Sequence, residues 1–374
     1  MDANRFATVH DAFNVRAASD PARAFLAVPA RPGRDYLPDG FEITYGAAQA
    51  RVETLIAAYR TAGYGLGHRI GLMLDNRPEH VLHFLALNAL GITQVPVNPD
   101  YLHHALFYLL DHSEADLAVV LPKHRQRMDK VAAERDKPLP VVEAGEALGS
   151  IPPTSTPALA GSPGRATETA LMYTSGTTGR PKGCILDNEF CFSYGGSYAG
   201  MGGCLTLRPG VERTINPLPL FHVNAGIVSL VGMIVAGGCQ IIPDRFHPTS
   251  WWDEVISSRA TVMHYLGIMP PILMKLAPSP RDREHHVRFG LGAGIDPAIH
   301  RPFEERFGFP MVEVWGMSET GRLFGDCYEP RRIDTRAFGK PWGTFQARIV
   351  DEHDRDVPNG IPGELLVRDG GTDP

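Results

Sequence analysis

The stretch Tyr173-Thr174-Ser175-Gly176-Thr177-Thr178-Gly179-Arg180-Pro181-Lys182-Gly183 decides how the rest of this chain is read. The apolar run Ala170-Leu171-Met172-Tyr173 leads into it and Cys184-Ile185-Leu186 leads out, which predicts strand, exposed loop, strand. Glycine lets the backbone turn through positive φ and approach a ligand closely. Successive N–H groups in such a turn form a nest for an anion, hydroxyls donate to phosphate oxygens, and Lys182 adds a compact positive charge. Ser, Thr and Gly also make ordinary polar hairpin tips. The order of these residues, ending Pro-Lys-Gly, favours an anion site instead. A Walker P-loop is excluded, because that motif needs Gly-Lys followed by Ser or Thr, and here Pro181 precedes Lys182 and Gly183 follows it.

Towards the N-terminus, Thr44 predicts the cap of a helix over 47–62 that Gly63 ends. Residues 69–74 read as a buried strand, and Asn76-Arg77-Pro78-Glu79 as a helix start with Pro78 in its first turn. A strand over 93–97, a helix over 103–112 and a strand over 116–121 follow. Residues 146–167, rich in Pro, Ser, Thr, Ala and Gly, read as a linker. The alternation then resumes, with a helix start at Asp296-Pro297 that Pro302 is expected to kink or delay. Strands alternating with helices predict an α/β fold with mostly parallel sheets. After Trp315 the texture changes: short alternating segments over 338–368, cut by Pro and Gly, predict an antiparallel sheet or small barrel. The expected organisation is a first α/β subdomain over 1–150, a second over 151–335 carrying the phosphate loop, and an incomplete β-barrel over 336–374.

A length of 374 residues allows two or three such units, each with a sizeable core. The net charge of −6 gives no reason to expect nucleic acid or an anionic membrane surface. Five cysteines without a C-x-x-C pair read as reduced thiols of a cytoplasmic protein. No apolar signal core follows Met1-Asp2-Ala3-Asn4-Arg5. The longest uncharged stretch, 214–243, is interrupted by Pro217, Pro219, His222 and Asn224, so it predicts a buried helix and no transmembrane segment.

Four further stretches carry residues suited to a nucleotide site. They are Leu218-Pro219-Leu220-Phe221-His222, Gly290-Leu291-Gly292-Ala293-Gly294, Val314-Trp315-Gly316-Met317-Ser318-Glu319-Thr320 and Gly363-Glu364-Leu365-Leu366-Val367-Arg368. Trp315 offers a flat π face for stacking, and Glu319 a hard oxygen ligand of the kind Mg²⁺ takes. Gly292, Ala293 and Gly294 leave room for a ligand against the backbone, although a tight strand-to-helix turn needs the same residues. A lone histidine such as His222 among apolar residues is commonly a satisfied core residue. Together with the loop, and with weaker matches at Asn76-Arg77-Pro78-Glu79 and Pro96-Val97-Asn98-Pro99, this ordered set resembles the adenylate-forming superfamily: acyl-CoA synthetases, firefly-type luciferases and peptide-synthetase adenylation domains.

The resemblance implies an ATP-dependent acid–CoA ligase, an AMP-forming acid–thiol ligase. A carboxylate attacks the α-phosphorus of Mg·ATP to give an acyl-adenylate and pyrophosphate, and the CoA thiol then displaces AMP. It implies nucleotide contacts from Thr174, Ser175, Gly176, Thr177, Thr178, Gly179, Lys182, Gly292, Ala293, Gly294, Trp315, Gly316, Met317, Ser318 and Glu319. Substrate contacts are implied for His222, Asn224, Gly292 and Gly316. Lys182, His222 and Glu319 are the catalytic candidates, with Glu319 on Mg²⁺, and ATP, Mg²⁺ and CoA are the expected small-molecule partners. Leu220-Phe221-His222-Val223-Asn224 looks most like the crotonobetaine/carnitine type of ligase. Two departures stand out. Asn188 occupies a place where the family commonly has histidine, which removes a possible cation near the phosphates. The family's later Thr-Gly-Asp ribose motif, and the small domain with its lysine, are not found before Pro374, so the chain is expected to bind nucleotide but to form adenylate poorly. The competing expectations are a nucleotide-binding remnant without catalysis and transfer to another thiol acceptor.

Overall fold

The computed structural model describes residues 2–145, 151–174 and 180–369. In chain order it contains α1 (Val9–Ser19), β1 (Ala24–Val28), β2 (Phe41–Thr44), α2 (Tyr45–Thr61), β3 (Arg69–Met73), α3 (Pro78–Ala89), β4 (Thr93–Pro96), α4 (His103–His112), β5 (Leu117–Val120), α5 (Arg125–Ala133) and β6 (Val141–Glu143). Then come β7 (Glu168–Thr174), β8 (Lys182–Asp187), α6 (Asn188–Gly200), β9 (Arg213–Ile215), α7 (Leu230–Ala236), β10 (Cys239–Ile241), α8 (Trp251–Ser257) and β11 (Val262–Leu266). The chain continues with α9 (Met269–Met274), β12 (Phe289–Ala293), α10 (Pro297–Phe307), β13 (Met311–Trp315), β14 (Phe324–Gly325), β15 (Lys340–Pro341), β16 (Phe345–Val350) and β17 (Glu364–Asp369). A π-helical turn, Asn224–Ser229, runs directly into α7.

Local chemistry sets the helix ends. The Thr44 hydroxyl accepts from the Ala47 N–H at 3.2 Å, so α2 opens at Tyr45, slightly before the predicted start. Asp296 caps α10 by accepting from the Ala298 N–H at 3.0 Å, and Gly308, at φ 82°, closes it. Pro302 lies within α10, and the helix runs through it rather than starting late.

Two sheets are built. One has the strand order β6-β5-β3-β4-β7-β8, parallel except for β8. The other runs β15-β14-β13-β12-β11-β9-β10-β1-β2, parallel from β13 to β1 and antiparallel at both margins. Each sheet takes strands from both sides of residue 150. β1 pairs with β10 (Leu26 opposite Gln240), whereas β7 pairs with β4 (Gln94 opposite Ala170). Residues 151–167 are strapped to the first sheet's layer by Thr154 N–H on the Ala62 carbonyl and Leu159 N–H on the Leu66 carbonyl, both 2.9 Å.

The packing is layered. α4 and α5 cover one face of the six-stranded sheet. Helices α1, α2, α3, α6 and α7 fill the space between the two sheets in two adjoining clusters. The far face of the second sheet is covered by α8, α9 and α10. Because α3 sits between sheets, it is buried nearly all round, including His80, His83 and Asn88, and not along one stripe. β16 and β17 form an antiparallel ladder from Phe345 opposite Asp369 to Val350 opposite Glu364; no closed barrel forms among the described residues. No helix among them is long and apolar enough to cross a membrane.

Candidate functional site

The two strands predicted on either side of the loop are β7 and β8. Residues Thr169 to Tyr173 are buried in the sheet, and Thr174, the last residue of β7, stands opposite Lys182, the exposed first residue of β8. Ser175, Gly176, Thr177, Thr178 and Gly179 lie outside the described residues. Both shoulders of the loop are held by α4. The Tyr108 hydroxyl donates to the Pro181 carbonyl at 3.0 Å, and the Arg180 guanidinium lies over the Tyr108 ring at 5.4 Å. His112 Nδ1 meets the Tyr173 hydroxyl at 2.7 Å. Sequence reasoning missed these anchors. The available signal was two aromatic rings four residues apart on one helix face.

At the carboxyl ends of the second sheet, β12 and β13 carry the glycine segment and Trp315. A Cβ on Gly292 would run into the Tyr265 carbonyl oxygen of β11, and Gly294 sits at φ 86°. Glu313 pins this turn: its carboxylate accepts from Gly294 N–H at 2.8 Å, Ile295 N–H at 3.1 Å and the Tyr265 hydroxyl at 2.6 Å. Glycine is therefore required here by the strand-to-helix turn itself. Ala293 remains exposed at its tip. The half-buried Trp315 ring stacks on Phe338 (5.7 Å, 25°) and meets Phe324 edge-on at 5.2 Å, so one indole face is already covered. Glu313 and Phe338 were not singled out from sequence.

After Trp315, Gly316 packs so closely on the Tyr194 hydroxyl of α6 that a Cβ would clash with it. The Thr320 hydroxyl donates to the Met317 carbonyl at 3.2 Å, closing a turn that exposes Met317 and Glu319 and leaves Ser318 half-buried. Burial and then the charge of Glu319 raise the pKa of both Cys184, on β8, and Tyr194. Thr174 is within hydrogen-bonding reach of that same Cys184 thiol. The fold thus packs the Gly316–Gly321 segment on α6, the helix that follows β8, with Glu319 within electrostatic range of Cys184. Among the described residues no three His, Cys, Asp or Glu side chains form a ready-made metal cluster. A single exposed carboxylate suits a Mg²⁺ ion that keeps waters and arrives on phosphates.

His222 keeps part of its surface exposed, with its ring tilted against Phe221 at 4.6 Å; partial burial of the imidazole lowers its pKa, keeping it neutral at pH 7. Its carbonyl accepts the Gly226 N–H at 3.0 Å, an α-type bond that overlaps the entry to the π-helical turn. Asn224 opens that turn. Its Oδ1 accepts from Asn216 Nδ2 at 2.9 Å and meets His264 Nδ1 at 2.8 Å, and His264 Nε2 meets the Tyr198 hydroxyl at 3.2 Å. Burial drives the pKa of His264 down to about 3, so the ring is neutral, with one nitrogen donating to Asn224 and the other accepting from Tyr198. Tyr194 and Tyr198 lie one turn apart on α6, so the helix links the Gly316 turn to the Asn224 group. Asn188 corrects an expectation. It is fully buried, accepting from Val9 N–H (3.1 Å) and Asn88 Nδ2 (2.8 Å) and donating to the Gly164 carbonyl (3.0 Å), so its place is structural and not one for a phosphate-side cation.

Residues 15–372 match the family described as AMP-binding enzyme. The chain is 30% identical over 362 residues to a sulfoacetate–CoA ligase of Cupriavidus necator, covering 93% of this chain and 70% of the relative. It is 27% identical over 329 residues to a crotonobetaine/carnitine–CoA ligase of Escherichia fergusonii, covering 83% and 62%. Among solved structures, the N-terminal domain of FACL13 from Mycobacterium tuberculosis superposes with a TM-score of 0.79 over 98% of this chain and 90% of that one; at 16% identity this is a likeness of fold. The chain spans 62% to 70% of the length of these curated relatives.

Proposed function

The chain belongs to the AMP-binding enzyme family, and from that premise we propose that it serves an ATP-dependent acid–CoA ligase, activating a carboxylate as its acyl-adenylate and passing the acyl group to the CoA thiol. The observation that carries this reading is the family match over residues 15–372, with Thr174 and Lys182 paired across the mouth of the loop. Lys182 and the loop hold the β- and γ-phosphates, Ser318 orients the α-phosphate, and Glu319 holds Mg²⁺. When bound, that ion screens the phosphate charge. Trp315 offers adenine the indole face that Phe338 leaves open, and Ala293, at the tip of the turn pinned by Glu313, borders the adenine and the acid. His222, neutral, and Asn224, fixed by His264, border the acyl side with Gly316. No covalent intermediate on the protein is required, so catalysis rests on positioning and on charge placed ahead of the reaction.

The crotonobetaine/carnitine type, the reading of 336–374 as the beginning of a β-barrel and a cytoplasmic setting belong to the same proposal. Measuring AMP and pyrophosphate release from Mg·ATP with a panel of short, polar, aromatic and fatty acids, with and without CoA, tests it. Acid-dependent pyrophosphate release followed by CoA-dependent AMP release supports it. Adenylate formation that CoA does not discharge indicates another thiol acceptor. Nucleotide binding without acid-dependent turnover would reduce the chain to a nucleotide-binding remnant.

A further inference from the structure

At the amino-terminal edge of the second sheet, the edge opposite Gly292 and Trp315, three positions lie side by side. Arg213 opens β9, Thr261 precedes β11 and Arg288 precedes β12. Thr261 N–H donates to the Arg213 carbonyl at 2.9 Å and Arg288 N–H to the Thr261 carbonyl at 2.8 Å. Neighbouring strands stand about 4.8 Å apart, so the two arginine backbones are roughly 10 Å apart in one row. Arg208, Arg259 and His286 complete the wall of an open cleft of about 540 Å³.

Two carboxylates face these four guanidinium groups. Glu212 is fully buried and accepts from Arg208 Nε at 2.9 Å, Thr261 Oγ1 at 2.5 Å and Arg288 Nη1. Burial alone would raise its pKa, but these donors outweigh burial and hold it ionised. Glu42 pairs with Arg213 at 2.7 Å and with Arg259 at 3.7 Å. Arg213 is also fixed by donating Nε to the Ser258 carbonyl at 2.9 Å, and Arg288 by donating to the Thr206 carbonyl at 3.2 Å. Glu212 and Glu42 are thus satisfied by part of the cluster. Arg259, 68% exposed, stands 3.7 Å from a Glu42 that Arg213 already pairs at 2.7 Å. Four guanidinium groups against two carboxylates leave a surplus of two positive charges.

We propose that this cleft is a diphosphate-binding site, distinct from the nucleotide loop. Planar guanidinium forks match phosphate oxygens bidentately. Two of them are held in place by backbone carbonyls before any ligand arrives, which lowers the cost of binding. A single phosphate carries at most two charges at neutral pH; inorganic pyrophosphate or a singly esterified diphosphate carries more, and either is long enough to bridge members of a row rather than one residue. The site stands apart from the loop because β11 and β12 each interpose five residues, roughly 16 Å of strand, between the two edges.

The test is calorimetric titration of inorganic pyrophosphate into the full chain carrying Lys182→Ala, which weakens binding at the loop. Saturable binding is expected there, at least tenfold weaker when Arg208→Gln and Arg259→Gln are added. Arg259→Gln alone, at an exposed position, should weaken it measurably with an unchanged melting temperature, which guards against misfolding of the double variant. Glu42→Gln, which removes an opposing charge, should tighten it. Methyl diphosphate distinguishes an esterified ligand, which it would mimic with equal or better affinity, from the free anion, which alone would bind. Absence of pyrophosphate binding in the Lys182→Ala chain, or binding indifferent to Arg208, Arg259 and Glu42, overturns the proposal.

Discussion

Lys182 is exposed at the first position of β8, opposite Thr174. A hydrogen bond from its ammonium to phosphate contributes about 1.5–3 kcal/mol. Lys182→Ala is therefore expected to weaken ATP binding roughly ten- to a hundredfold and AMP binding far less, by calorimetry with both nucleotides; an equal loss would place Lys182 away from the triphosphate. Trp315 makes the opposite prediction. Stacking of a base on an aromatic ring is worth about 1–3 kcal/mol, and adenine is common to both nucleotides, so Trp315→Ala should weaken ATP and AMP alike. Undiminished affinity would leave Trp315 as a partner of Phe338 and Phe324 only. At this scale the sequence named chemistry but not support. Nothing in the identity of Glu313 or Tyr108 announces that one pins the Gly294 turn and the other holds Pro181, because both roles come from contacts between elements distant along the chain.

The π-helical turn Asn224–Ser229 is the element on which the acyl-side residues depend. Within it Gly226 packs against the Leu220 carbonyl, where a Cβ would collide with backbone. Gly226→Ala should push the turn away, cost about 1–3 kcal/mol of stability as overpacking does, and break the Asn224–His264 contact. The expected readings are a lower melting temperature and a larger loss in acid-dependent turnover than in ATP affinity; an unchanged melting temperature would show that the turn can shift freely. The sequence placed a helix start near Asn224 correctly, but periodicity does not separate a π-turn from an α-helix in a wholly apolar segment. In α10 the propensity argument was overridden. Pro302 is exposed, and Phe303, His300 and Phe307 bury the opposite face, so packing carries the helix past the missing N–H.

For the whole molecule, burial fixes how stability follows pH. His80, His83 and His264 are buried, with pKa values lowered by burial to about 4, about 3 and about 3. Each contributes stability that is present above the ordinary histidine value of 6.5 and is lost as pH falls through the window down to the lowered value, because only the unfolded chain takes up the proton there. The cost is up to about 1.4 kcal/mol per pH unit for each ring. Melting temperature should fall steeply between pH 6.5 and 4, and a flat profile would contradict the burial. Glu254 has the opposite sign. Burial raises its pKa to about 7, so its contribution is complete below 4.5 and is lost as pH rises through 7. Glu254→Gln should raise the melting temperature at pH 8 and leave it little changed at pH 4.5. The exchange of β1, β2, β7 and β8 between sheets predicts that the halves do not fold apart. Residues 1–145 alone would leave β1 and β2 without β10 and the first sheet without β7. Proteolysis-resistant, well-dispersed folding of that fragment would refute this.

The sequence by itself determined the alternation of elements, most of their ends, and the motifs that place the chain among the AMP-binding enzymes. Those follow from caps, periodicity and turn residues, which act over a few positions. Which strands share a sheet was decided only in three dimensions. β1 completes a sheet with β10, more than 200 residues away, because pairing and the burial of α1, α2 and α3 between two sheets are contacts that no local pattern encodes. The same is true of the site. The residues of the Trp315–Glu319 stretch could be named from their order, but the packing of Gly316 on Tyr194 of α6, the covering of one indole face by Phe338, and the arginine row at the far edge of the sheet exist only once the strands lie side by side.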